Sequence, residues 1–169
     1  MVFSCKMDTC RQETKYLDNM VFEITQEIDA EAESKSVLIN SLSGLLKSYF
    51  SNKEYGKDIE HYFIGIICVR YRPGYEDWFR IRKPKYKAVD KIKMPDGKYL
   101  QLHGVYSYDI KLDFERFVNS SEKESKKLLA SEILNSLSYL DALPKKVKDF
   151  DKERFKSDME QFFKSESLL

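Results

Sequence analysis

Residues His61 to Tyr71 are apolar on both parities, with Tyr62, Ile64, Ile66 and Cys68 on one and Phe63, Ile67 and Val69 on the other. A strand with one wet face alternates, so a run without alternation predicts a central strand covered on both sides, or nearly so. Such a strand needs neighbours, and the chain offers three. Met20, Phe22, Ile24, Gln26 and Ile28 alternate with Val21, Glu23, Thr25 and Glu27, which reads as a strand with one mostly apolar face. Glu76 to Met94 reads as extended, with Pro84 arguing for an edge position or a bulge. Met94-Pro95-Asp96-Gly97 is a tight-turn signal, and Tyr99 to Phe114 then alternates, carrying Leu100, Leu102, Tyr106, Tyr108, Ile110, Leu112 and Phe114 on one face.

Elsewhere the period is helical. Between about Glu31 and Phe50, Leu38, Leu42, Leu45, Leu46 and Tyr49 paint one stripe, and Gly56 helps to end that unit. Ser121 with Glu124 forms a capping-box pair ahead of Leu128, Leu129, Ile133, Leu134, Leu137 and Leu140, a helical run closed by Pro144. Asp151 can cap a last helix carrying Phe155, Met159, Phe162 and Phe163. The order is strand, helix, three strands, two helices. That order predicts an α+β domain with an antiparallel sheet of about four strands and helices packed mainly on one face. The 169 residues suit one domain over 1–169, with 1–17 as an N-terminal extension and 165–169 as a frayed tail.

The chemistry-bearing motifs are few. The chain has no glycine-rich phosphate loop, GxSxG elbow, HExxH or CxxC, so no catalytic, cofactor-binding or metal-binding residue is assigned. His61 and His103 have no identifiable partner and read as ordinary structural histidines. Cys5 and Cys10 lack further ligands at zinc-finger spacing, and Cys68, between Ile67 and Val69, reads as a small buried hydrophobe. Three cysteines, no secretory h-region and no apolar run of membrane length point to a cytoplasmic protein.

Charge is balanced overall, 29 Lys+Arg against 28 Asp+Glu, which removes a whole-molecule field for nucleic acid or membrane. Locally it segregates. Glu13 to Glu33 holds seven acids and one base, a balance of −6, and Arg70 to Lys93 holds nine bases and three acids, a balance of +6. One reading is two solvated faces that neutralise each other across the sheet. A sharper one makes Glu23, Glu27, Asp29, Glu31 and Glu33 a docking surface for a basic protein, with Tyr75 and Trp78 as aromatic anchors. The alternative is an RNA- or single-strand-binding module over 70–93, in which Trp78 interleaves with Arg80, Arg82, Lys83 and Lys85. An enzyme built on dispersed carboxylates such as Glu76 and Asp77 is the third possibility, and acids adjacent in a chain are usually just exposed.

The segment Met20 to Asp29, the helix running into Asn40, the pair Tyr55-Gly56, the strand Ile64 to Val69 and the late Asp149-Phe150-Asp151 together resemble a family of immunity proteins. That family belongs to bacterial polymorphic-toxin and contact-dependent inhibition systems, and the likeness covers roughly residues 20–163. The resemblance implies a cytoplasmic non-enzyme, free of cofactors, that binds the toxic C-terminal domain of a cognate effector and blocks its active site or substrate path. The toxin of such a system is often a nuclease. Many antidotes to basic nucleases are strongly acidic and this chain is neutral, so mimicry of nucleic acid would fall to the local acids from Glu23 to Glu33.

Overall fold

Alternation at Val21–Ile28 produces the first strand, β1, in which Phe22 and Ile24 are buried while Glu23, Thr25 and Glu27 are exposed. The computed structural model describes residues 20–74 and 81–169. A short 3₁₀ turn, Ala30–Ala32, leads into helix α1 (Glu33–Phe50), whose Ile39, Leu42, Leu46 and Phe50 face inward. The doubly apolar run is β2 (His61–Cys68), followed by β3 (Lys85–Lys93), β4 (Tyr99–Lys111), α2 (Phe114–Asn119), α3 (Glu122–Ser136), a 3₁₀ segment over Leu137–Ala142, and α4 (Lys152–Ser165).

One four-stranded sheet in the order β1-β2-β4-β3 organises the domain. β2 is central, as its composition requires, and Pro84 immediately precedes the edge strand β3. The α+β class holds, but the sheet is mixed rather than antiparallel. β1 pairs parallel to β2 from Val21↔His61 to Ile28↔Cys68, and β2 pairs parallel to β4 from His61↔Val105 to Ile67↔Lys111. Only β3 and β4 are antiparallel. The cause is connection length. A helix between two neighbouring strands carries the chain back to its starting end, so β1-α1-β2 is a parallel crossover unit. β3, the next strand in the chain, lies beyond β4 in the sheet, which leaves the turn at Met94 to Lys98 as the only tight reversal between paired strands among the described residues.

The helices bury one face. Phe22 stacks on Phe50 at 5.1 Å between ring centroids, Phe50 lies 5.1 Å from Phe155, and Phe155 lies 4.7 Å from Tyr62. Beneath this aromatic layer a hydroxyl relay has a fixed direction. Ser136 Oγ spends its single proton on the Ile133 carbonyl at 2.6 Å, so it accepts from Tyr108 (3.0 Å), and Tyr108 in turn accepts from Tyr62 (2.9 Å). Three buried hydroxyls are thereby satisfied without water.

Two boundaries differ from the sequence pattern. β4 stops at Lys111 because Asp113 accepts from the Arg116 amide at 2.9 Å and starts α2, so Phe114 enters the core from a helix. Past Lys164, where fraying is expected, the Leu168 amide donates to the Phe163 carbonyl and Ser167, at φ 56°, donates to Lys164, both at 3.0 Å. That paired closure is a left-handed helix cap, and Leu168 packs on the core. The capping box is present as predicted: Ser121 accepts from the Glu124 amide while Glu124 accepts from the Ser121 amide at 3.0 Å.

Candidate partner-binding face

No described helix packs on the second face of the sheet, and the pairing register fixes what it displays. Residues of one parity cross it in rows. Glu23 and Glu27 stand exposed on edge strand β1, about 13 Å apart at strand rise. His61 and Phe63 of β2 lie half-buried beside them with ring centroids 5.8 Å apart, and burial holds the His61 imidazole below its ordinary titration range. Lys85 and Lys87 line the other edge on β3, opposite Ser107 and Val105 of β4. The face is thus acidic at one edge, aromatic in the middle and basic at the other.

The remaining sequence-selected acids are elsewhere. Asp29 Oδ2 accepts from the Arg70 amide at 2.8 Å, and its Oδ1 lies 3.6 Å from Arg72 Nη2. Glu31 pairs with Arg70 Nη2 at 2.8 Å, while Arg70 Nε reaches Glu115 at 3.3 Å and its guanidinium covers the Phe114 ring. Here the acidic and basic stretches do cancel, at the carboxyl ends of β1 and β2. Arg70, Phe114 and Glu115 also line a groove of about 440 Å³ between Val69–Tyr71 and Lys111–Glu115, in which Arg70 and Glu115 are committed to each other and Asp113 to the Arg116 amide. Glu33 is exposed in the first turn of α1, where a carboxylate favours the helix dipole. Of the five acids, Glu23 and Glu27 are the pair that shares the exposed edge of this face. Tyr75 and Trp78 lie outside the described residues.

A site that the sequence reading passed over sits at the far end of this face. Asp109 of β4, 5% exposed, is the one buried charged side chain among the described residues. Its Oδ2 accepts from the Arg82 amide at 2.7 Å, and its Oδ1 receives Arg82 Nε at 2.9 Å and Nη2 at 2.8 Å. Arg82 carbonyl accepts from the Asp109 amide in return, at 3.0 Å. The carboxylate lies across Gly65, where a Cβ would come within 2.1 Å of Oδ1. Gly65 is therefore the signal that was available: a glycine inside an apolar strand marks a close approach. The pair ties the long connection onto β4 and sets where β3 begins.

The motif pairs that carried the family resemblance also meet. Tyr55 carbonyl accepts from the Asp151 amide at 2.6 Å, the Asp58 amide donates to Asp149 carbonyl at 3.0 Å, and Asp58 Oδ2 accepts from Lys148 and Asp149 amides at 2.6 and 2.8 Å. Those two amide bonds hold the Asp58 carboxyl below the usual carboxylate range. Gly56 and Asp149 thus belong to a clasp between two loops, and their role is structural. Cys68 is buried, and desolvation, with Asp29 and Asp113 nearby, pushes its thiol up to about 11, so it is a packing residue. Among the described residues no group of three or more metal-ligating side chains converges, and no helix is long and apolar enough to cross a membrane.

These features define an α+β domain with one helix-covered sheet face and a second face, buried at Ile67, Val105 and Asp109, whose two edges bear opposite charge. The chain belongs to the immunity protein 44 family, whose model matches residues 20–165. No curated protein and no solved structure matches it.

Proposed function

We propose that this protein is an antidote: it binds the toxic C-terminal domain of a cognate bacterial toxin in the cytoplasm, blocks the toxin's active site or substrate path, and catalyses nothing itself. The family match over residues 20–165 carries the reading. The acidic edge of this face supports it, since Glu23 and Glu27 stand exposed with no ion-pair partner among the described residues and would meet a basic toxin such as a nuclease, and charges of this kind steer encounter. Tyr75 and Trp78 are the proposed aromatic anchors. Asp29 and Glu31 leave the proposed contact set, because Arg70 and Arg72 occupy them.

The nucleic-acid alternative loses support from the same pairs. Arg70, Arg72, Arg82 and Lys87 are each matched to a carboxylate, which takes four cations from the 70–93 stretch. The test is co-expression with the toxin domain encoded immediately upstream of this gene. Restored growth and a stable complex are expected; unrelieved growth arrest with no complex refutes the proposal.

A further inference from the structure

The sheet extends beyond its own core. β2 begins to pair with β4 at His61↔Val105, and the Glu60 amide just ahead of it donates to the Gly104 carbonyl at 2.9 Å, so Tyr99–His103 pairs with β3 alone and the strands form a two-stranded arm. Among the described residues, five of the eleven large exposed hydrophobic ones lie on it: Val89, Ile92, Met94, Tyr99 and Leu100. Ile92 (42% exposed) and Leu100 (47%) face each other across the strands on one side of the arm. Val89 and Tyr99 have the opposite parity, on the side of Lys91 and Lys93. A partner resting on one side would cover half of these groups. A strand added to the free edge of β3 flanks both sides and uses the outward amides and carbonyls of an edge strand, displacing Asp90 Oδ1 from the Lys91 amide.

Charge selects the occupant. Residues 85–98 carry Lys85, Lys87, Lys91, Lys93 and Lys98 against Asp90 and Asp96, a balance of +3. Both acids are already used: Asp90 Oδ1 accepts from Lys87 at 2.8 Å and from the Lys91 amide at 3.0 Å, and Asp96 accepts from the Lys98 amide at 3.0 Å. Lys85, Lys91 and Lys93 have no described ion-pair partner. They repel the β3 edge of a second copy and fit an acidic strand, whose own side chains must alternate to meet Ile92 and Leu100 on one side and the lysines on the other.

We propose that the free edge of β3 accepts an extended segment of the toxin in which acidic and apolar residues alternate. This rests on the antidote reading and adds the partner's chemistry. A four-stranded sheet spans roughly 14 Å, less than the roughly 28 Å across a standard interface patch. One partner therefore reaches both edges, basic toward Glu23 and Glu27 and acidic toward the arm.

Amide hydrogen exchange on the complex with the upstream-encoded toxin domain tests it. Amides within 85–93 are expected to slow roughly tenfold or more on binding. Ile92→Ser with Leu100→Ser, both exposed and so compatible with an unchanged melting temperature, is expected to weaken binding roughly hundredfold at any salt. Lys91→Glu with Lys93→Glu is expected to weaken it roughly tenfold at low salt only. A complex that forms with β3 unprotected, or that the Ile92 and Leu100 changes leave as tight, overturns the inference and leaves the antidote reading intact. If no complex forms, the antidote reading fails. The arm is then judged with a synthetic peptide of alternating glutamate and valine: failure to shift the amide signals of 85–93 overturns the inference. So does displacement of the peptide by single-stranded oligonucleotide, or association of the free chain into filaments through the β1 and β3 edges.

Discussion

Replacing Gly56 with alanine should open the clasp on which the two loops depend. Gly56 holds φ at 115°, a region that residues with a side chain rarely adopt, and a Cβ there would lie 2.2 Å from the Asp149 carbonyl oxygen. Ordinary Cβ contacts do not fall below 3.0 Å, so a backbone atom must give by the difference, 0.8 Å. Strain of this kind costs about 1–3 kcal/mol. The displacement falls on five loop-to-loop bonds: Asp58 and Lys57 amides to Asp149, Lys148 and Asp149 amides to Asp58, and the Asp151 amide to Tyr55. Loss of two of them adds about 2 kcal/mol. The sum is about 3–5 kcal/mol, or a melting temperature lower by about 6–20 °C for a chain of this size. Thermal and urea unfolding followed by circular dichroism read it directly. Gly74→Ala is the control, since Gly74 has φ 86° with nothing within 4 Å, and it isolates strain from collision. Gly56→Ala within about 0.5 kcal/mol of the parent, or equal to Gly74→Ala, would refute the clasp.

Gly44→Ala should act in the opposite direction: Gly44 is exposed within α1 and a Cβ there meets nothing within 4 Å, so stability should rise by about 1 kcal/mol in the same unfolding assay. Stability should fall on acidification in two windows, measured by urea midpoints against pH. Burial lowers the His61 titration, so its contribution is whole above pH 6.5 and is lost as pH falls through the folded value; hydrogen bonds from Asp149 and Lys148 lower Asp58, and its contribution is whole above pH 3.8 and lost below. His61→Gln should erase the upper window alone. Glu23→Lys with Glu27→Lys should slow association with the toxin domain roughly tenfold in stopped flow at low salt and leave dissociation nearly unchanged, the difference vanishing at high salt; unchanged association would remove both residues from the interface.

Much of this fold is written locally. Ser121 and Glu124 specify a helix start within four residues, and Phe155, Met159, Phe162 and Phe163 specify which side of α4 is buried, because capping and periodicity are properties of neighbouring residues. Strand direction is not such a property. The alternation of β1 fits a parallel or an antiparallel neighbour equally well, and the clue lay in the helix between β1 and β2, which demands a parallel crossover. The site divides in the same way. Exposure of Glu23 and Glu27 follows from β1 parity, whereas the pairing of Arg70 with Glu31, and of Arg82 with Asp109, depends on where long connections land. The Asp109 pair left one local trace, Gly65 inside β2, and the arm left another, since the alternation of Tyr99 to Leu102 continues past the end of any strand able to cover it.

The account requires that inhibition consume the protein one for one. Titration of the purified toxin domain's activity with this chain should fall linearly to an equivalence point at one chain per toxin and stay there. Toxin fully active at molar excess, or silenced by far less than one equivalent, would contradict a mechanism of stoichiometric occupation.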